Sequence, residues 1–180
     1  MLRRFTLGLA VMAILMASAC SDDSATTETS PPAQEPSAAP VLPVSYTAHD
    51  FGYDGPDTLP AGTSDITMEN EGAVGHEMLI IRLDKHQDWT EQQAIDYVTD
   101  KPKAEPKWAV PVGGLFTEAG PPVIAPGESA PVVFLDFSAG GDAPNILENG
   151  SLEPGTYLLM CFVGNPAHAT QGMVKKITVS

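Results

Sequence analysis

The sequence predicts an all-β sandwich, on three observations. Short apolar runs recur through residues 44–180, and several alternate apolar with polar residues, the period-two pattern of a strand with one buried face. Gly/Pro clusters separate the runs: Gly55-Pro56, Pro60-Ala61-Gly62, Pro126-Gly127 and Pro154-Gly155. A single stretch carries a helical pattern, so packed sheets rather than packed helices must supply the core.

In order, residues 44–51 (VSYTAHDF) alternate loosely and read as the first strand. Residues 64–69 (SDITME) place Ile66 and Met68 on one face, and Asn70-Glu71-Gly72 breaks the run. Residues 77–83 (EMLIIRL) are apolar on both faces, which predicts a strand covered from both sides. Residues 88–100 form the helix: Thr90 is its N-cap, Glu91 and Gln93 fill the first turn, Trp89, Ile95 and Val98 make an apolar stripe, and Lys101-Pro102 ends it. Residues 102–122 are rich in Pro and Gly, with Trp108, Leu115 and Phe116 as anchors, so about 88–122 reads as a helix-bearing insertion. Residues 129–137 read as one strand and 140–150 as a loop. Residues 156–162 and 174–179 are the last two strands.

The N-terminal part belongs to a different regime. Residues 1–19 combine Arg3 and Arg4, an apolar run at 7–16 and the small residues Ala17-Ser18-Ala19, the plan of an export signal. The run is shorter than the about 20 apolar residues a membrane span needs. Ala17 and Ala19 suit ordinary signal cleavage, which would give a soluble periplasmic or secreted protein. Cys20 after small residues suits lipoprotein processing, with Cys20 as the lipidated N-terminus; this reading is favoured because residues 20–43 form a Pro/Ser/Thr-rich tether of the kind an anchored domain needs. Residues 44–180 are then one domain. With Cys20 lipidated, Cys161 is left as a free thiol in an oxidising compartment, with no partner in the chain. The chain carries 23 acidic and 9 basic residues, net −14, and loss of Arg3 and Arg4 with the signal leaves 23 against 7, net −16. Such a surface argues against nucleic acid and anionic lipid as partners, so membrane association is expected only through the lipid anchor.

The chemistry concentrates in residues 155–173, where Cys161, His168 and Met173 share one loop between two apolar runs. A thiolate, an imidazole and a thioether suit copper better than calcium or magnesium, which take oxygen. Blue-copper sites use two histidines, a cysteine and a weak axial methionine, and this loop supplies all but one histidine. No Ser/His/Asp set or paired-carboxylate motif appears, and four histidines are too few for a type 1 site plus a copper catalytic centre, so the chain is not read as an enzyme. His49 and His86 match no motif.

Three segments resemble the cupredoxins, the blue-copper family of plastocyanin, pseudoazurin and azurin. Residues 70–77 (NEGAVGHE) resemble the Asn-x-Gly segment that leads to the family's first histidine ligand. Residues 125–129 (APGES) are similar to its Pro-Gly turn before a core strand. Residues 154–173 run from Pro-Gly-Thr-Tyr to Cys161, His168 and Gly172-Met173, similar to the family's ligand loop. The resemblance covers roughly residues 44–180 and implies a Greek-key β-sandwich. It also implies one copper ion held by His76, Cys161, His168 and axial Met173. Two departures bear on the geometry: six residues separate Cys161 from His168, more than in small electron-transfer members, and Glu77 stands where an Asn often ties the ligand loops together. The 76–83 strand and the Cys-Phe…His…Gly-Met-Val-Lys ending also resemble exported bacterial cupredoxin-domain proteins of unassigned role. The function implied is one-electron transfer outside the cytoplasm, with a redox or copper-donor protein as partner. The alternatives are copper storage or delivery, and a metal-free binding module that presents the Trp89–Trp108 insertion.

Overall fold

The computed structural model describes residues 43–100, 108–115, 123–136, 145–147 and 149–180. The expected signal 1–19, Cys20, residues 20–42 of the tether, and Phe116 and Phe137 lie outside the described residues.

Two mixed sheets face each other. The smaller has the order β2-β1-β4-β7, from β1 (Val44–His49), β2 (Gly52–Asp54), β4 (Ile66–Asn70) and β7 (Ser129–Pro131). The larger has the order β3-β11-β10-β5-β6-β8-β9. Its strands are β3 (Thr58–Leu59), β5 (Leu79–Leu83), β6 (Ala109–Gly114), β8 (Val133–Asp136), β9 (Asn145–Leu147), β10 (Gly155–Met160) and β11 (Val174–Val179). β1 runs parallel to β4 and β3 parallel to β11, while the other pairings are antiparallel. This is the β-sandwich with one helix that the sequence predicts.

The core follows from side-chain alternation. Tyr46, Ile66 and Met68 of the small sheet pack with Ile80, Tyr157, Leu159 and Ile177 of the large one. Each such apolar side chain stabilises by roughly 1.5–3 kcal/mol relative to exposure. The opposite faces of β5 and β10 send Ile81, Leu83, Leu158 and Met160 into a second cluster with Ala94 of helix α1 (Glu91–Asp100), against which Trp89, Ile95, Val98 and Trp108 pack. The double-sided apolar pattern of β5 therefore has its expected cause. Thr90 caps α1 as read: Thr90 Oγ1 accepts from the Gln93 N–H (3.2 Å) and Gln93 Oε1 from the Thr90 N–H (2.9 Å), a reciprocal capping box. Glu91 then accepts the backbone N–H of Lys176 at 2.8 Å, pinning the helix start to β11. His86, which matched no motif, stacks on Trp89 with ring centroids 4.6 Å apart, and the Trp108 ring meets both.

Four stretches differ from the sequence reading. Residues 145–147, read within a loop, form the edge strand β9, whose backbone pairs antiparallel with β8. Part of the expected insertion is a strand, β6, inside the large sheet between β5 and β8. Pro111 argues against a central strand, since it cannot donate to a ladder; the sheet accommodates it with a register shift between Ile80 and Ile81, where Pro111 pairs. Residues 129–136 form two strands in two sheets. After Pro131 the chain crosses over, and the Val132 N–H turns to Ile66 O at 2.8 Å. The first strand stops at His49, and Asp50-Phe51 makes a tight turn into β2, with Phe51 at φ 67°.

Tyr46, Tyr53 and Tyr157 are buried, and each hydroxyl donates to a backbone carbonyl, of Pro56, Glu77 and Glu153 respectively. Burial pushes all three phenols above the usual tyrosine range. The folded state therefore keeps protons that the unfolded state releases above pH of about 10. Stability is full below that value and falls as pH rises past it. Urea unfolding at pH 9 and pH 11 checks this; an unchanged midpoint would contradict it.

Candidate metal centre

Three connections meet where the site lies: the β1–β2 turn, residues 71–78 between β4 and β5, and residues 161–173 between β10 and β11. Cys161 directly follows β10, with its side chain on the inner face of the sandwich, and is fully buried. His76 bridges to Ile124 through backbone bonds in both directions (3.1 and 2.8 Å), which fixes its backbone from outside the sheets. His168 opens a short 3-10 turn, His168–Gln171.

The long Cys–His spacing does not separate the two residues. The Ala169 N–H donates to Cys161 O (2.7 Å) and the His168 N–H to Val163 O (2.9 Å), so the extra residues fold back on the strand end. Gly164 sits inside that fold at φ 94°, where a Cβ would come within 2.8 Å of His168 Nε2. Met173, also fully buried, is bound through its backbone to both neighbours: its N–H donates to His168 O (3.0 Å) and its carbonyl accepts from the Cys161 N–H (3.3 Å).

The Asn-x-Gly segment has a structural reason. The amide nitrogen of buried Asn70 donates to Val74 O (2.9 Å) and Ile124 O (2.7 Å), and its oxygen accepts from the Gly72 N–H (2.8 Å). One side chain thus holds the loop that carries His76. Glu77 does what an Asn was expected to do: Glu77 Oε1 accepts from the Phe162 N–H at 2.8 Å and joins the loop that carries His76 to the segment after Cys161. Burial raises the Glu77 carboxyl, an effect this bond opposes.

Among the described residues, His76, Cys161 and His168 form a group with converging donor atoms. His76 Nδ1 and His168 Nδ1 are 3.2 Å apart, and Cys161 Sγ lies 3.5 Å from His168 Nδ1 and 4.0 Å from His76 Nδ1. A circle through these three atoms has a radius of about 2.1 Å, which matches the about 2.0–2.3 Å at which imidazole nitrogen and thiolate sulfur bind a transition-metal ion. These three side chains would hold one ion through two imidazole nitrogens and a sulfur. Thiolate and imidazole in a trigonal array, with a thioether as the fourth sequence neighbour, suit copper. The sulfur faces backbone N–H groups of Glu77, at 3.5 Å, and Val163. Burial raises the Cys161 thiol in spite of these bonds, and burial together with His76 lowers His168.

Sequence reasoning missed two residues, both in the β1–β2 turn. Asp50 Oδ1 lies 3.2 Å from His76 Nε2 and accepts the Ala73 N–H at 2.9 Å. Burial pushes its carboxyl up, but hydrogen bonds from Ala73, His76 and Val74 outweigh this and hold it below the usual carboxylate range. Phe51 packs edge-on against His168, with ring centroids 5.1 Å apart. The run VSYTAHDF shows neither contact, because Phe favours a strand and its left-handed backbone departs from that preference. His49 takes no part in the group and pairs with Asp54 at 3.0 Å.

No family model matches the chain, and no characterised protein matches it by sequence. Solved structures do. Auracyanin from the photosynthetic bacterium Roseiflexus castenholzii, in its dithionite-reduced form, is 16% identical and aligns over 76% of this chain and 94% of its own, with a TM-score of 0.41. Auracyanin A, a blue copper protein of Chloroflexus aurantiacus, is 16% identical over 77% of this chain and all of its own, with a TM-score of 0.40. An azurin of Methylomonas sp. strain J is 15% identical over 76% of this chain and 95% of its own, with a TM-score of 0.37. Auracyanins and azurins are cupredoxins. At these scores the likeness brings no ligand or activity to this chain, whose metal chemistry rests on its own donor atoms.

The raised thiol has a direct consequence. At neutral pH Cys161 is protonated and buried in the metal-free protein, so it is expected to react with a disulfide reagent at least about tenfold more slowly than an exposed thiol, and to become fast in denaturant. A fast reaction in the native protein would contradict the burial of the sulfur.

Proposed function

We propose that this chain is an exported cupredoxin that transfers single electrons through one type 1 copper ion, which His76, Cys161, His168 and Met173 would hold. The observation that carries the proposal is the convergence of two imidazole nitrogens and a sulfur around one point about 2.1 Å from each. Copper, when bound, supplies the one-electron couple. The chain's own residues hold the donors. The Asn70 and Glu77 side chains lock the loops, buried Ile124, Met78 and Leu115 belong to the core cluster that includes Cys161, and the Glu77 N–H polarises the sulfur. A frame this constrained moves little between oxidation states, which suits rapid electron exchange.

Access is at the surface beside His168. Exposed Phe51 touches its ring, exposed Phe162 follows Cys161, and exposed Val74 and Val123 flank the His76 loop. This apolar rim on an acidic protein suits brief docking of a redox partner. Storage or delivery is less well supported, because Met68 and Met78 are buried in the core and offer no further soft ligands. Export with lipidation at Cys20 belongs to the same proposal and rests on residues 1–43. Among the described residues no helix is long and apolar enough to cross a membrane.

The test is the visible spectrum of the purified mature chain with Cu(II). The expected result is an intense blue or green thiolate-to-copper band, absent from Cys161→Ala and retained, at a shifted position, in Met173→Leu. No band, with no stoichiometric copper in either oxidation state, would overturn the proposal.

A further inference from the structure

His76 and His168 are held differently. The ring of His168 packs against an aromatic side chain, whereas fully buried His76 points its far nitrogen at a carboxylate. Three features show that the Asp50–His76 contact is built into the fold. The Asp50-Phe51 turn is tight and uses a left-handed residue, Phe51 at φ 67°, which costs on the order of 1 kcal/mol. The Ala73 N–H fixes the same Asp50 oxygen at 2.9 Å from the other side. Gly72 leaves the pair room, since a Cβ there would lie 2.6 Å from Asp50 Oδ1 and 2.6 Å from His76 Nε2.

We propose that Asp50 is a positioning residue of the copper site, which accepts a hydrogen bond from His76 Nε2–H and so biases the bound ion toward its oxidised state. The inference rests on the copper reading above. With the proton on Nε2, the lone pair of His76 is on Nδ1, the atom that faces Cys161 Sγ and His168 Nδ1. A carboxylate on the opposite nitrogen makes the imidazole a stronger donor, and Cu(II), the harder and more highly charged state, gains more from this than Cu(I). The carboxylate lowers the reduction potential. Asp50 is itself 41% exposed, so its bare charge is screened and the effect runs through the hydrogen bond.

The experiment is redox titration of the copper-loaded mature chain, wild type against Asp50→Asn, Asp50→Glu and Gly72→Ala. In Asp50→Asn the ratio of Cu(II) to Cu(I) affinity should fall about tenfold, a rise in potential of about 59 mV for one electron. Asp50→Glu should recover part of that shift. Gly72→Ala should raise the potential with every charge intact, by wedging the pair apart. Histidine ¹⁵N NMR of the metal-free protein gives a second readout: a solvent-protected His76 Nε2–H, lost in Asp50→Asn. If Asp50→Asn folds but takes up no copper, recovery of uptake in Asp50→Glu supports the role, and equal failure of both overturns it. A blue Asp50→Asn protein with unchanged potential overturns the inference alone. A wild-type protein without the band overturns the copper reading instead.

Discussion

The structure depends on bringing a thiol and two imidazoles within about 4 Å of one another inside a protein core. Such a cluster is costly, because each buried polar group without a partner destabilises by about 1–3 kcal/mol. The fold meets the cost with neighbours. Among the described residues no buried side-chain nitrogen or oxygen lacks a hydrogen-bond partner. The two sheets supply the rigid part: Cys161 continues a strand paired on both edges, and its alternation with Tyr157 and Leu159 fixes which way the sulfur points.

The loops supply the rest, and each is tied by a side chain reaching across the chain. Asn70 reaches Ile124, Glu77 reaches Phe162, and Asp50 reaches Ala73 and His76. These links join segments distant in sequence and close in space. They explain how a loop with six residues between Cys161 and His168 still sets His168 Nδ1 3.5 Å from the sulfur. Length alone does not move a ligand when backbone bonds at both ends of the loop return it to the strand.

Much of this was legible in the sequence, and the reasons differ by element. β4 alternates, β5 and β10 are apolar on both faces, and the helix has an apolar stripe and a true cap at Thr90, so their type and buried faces could be read directly. Cys161, His168 and His76 were legible because their residue types and neighbouring motifs are uncommon together, and their donor atoms do converge. Other features were hidden because tertiary contacts overrode local preference. β6 contains Pro111, tolerated only where the register slips. Residues 129–136 look like one strand until Pro131 forces a change of sheet. Asp50 and Phe51 read as the end of a strand, and only the turn reveals that each faces a different histidine. Glu77 stands where an Asn often ties these loops, and its carboxylate serves as the tie instead.

The central claim is that His76, Cys161 and His168 would hold one copper ion through two imidazole nitrogens and one sulfur. Copper K-edge X-ray absorption on the loaded protein tests it most directly. The account predicts two nitrogen scatterers at about 2.0 Å and one sulfur at about 2.2–2.3 Å, with little change between the oxidised and reduced forms. A first shell of oxygen and nitrogen without sulfur, in either form, would contradict it.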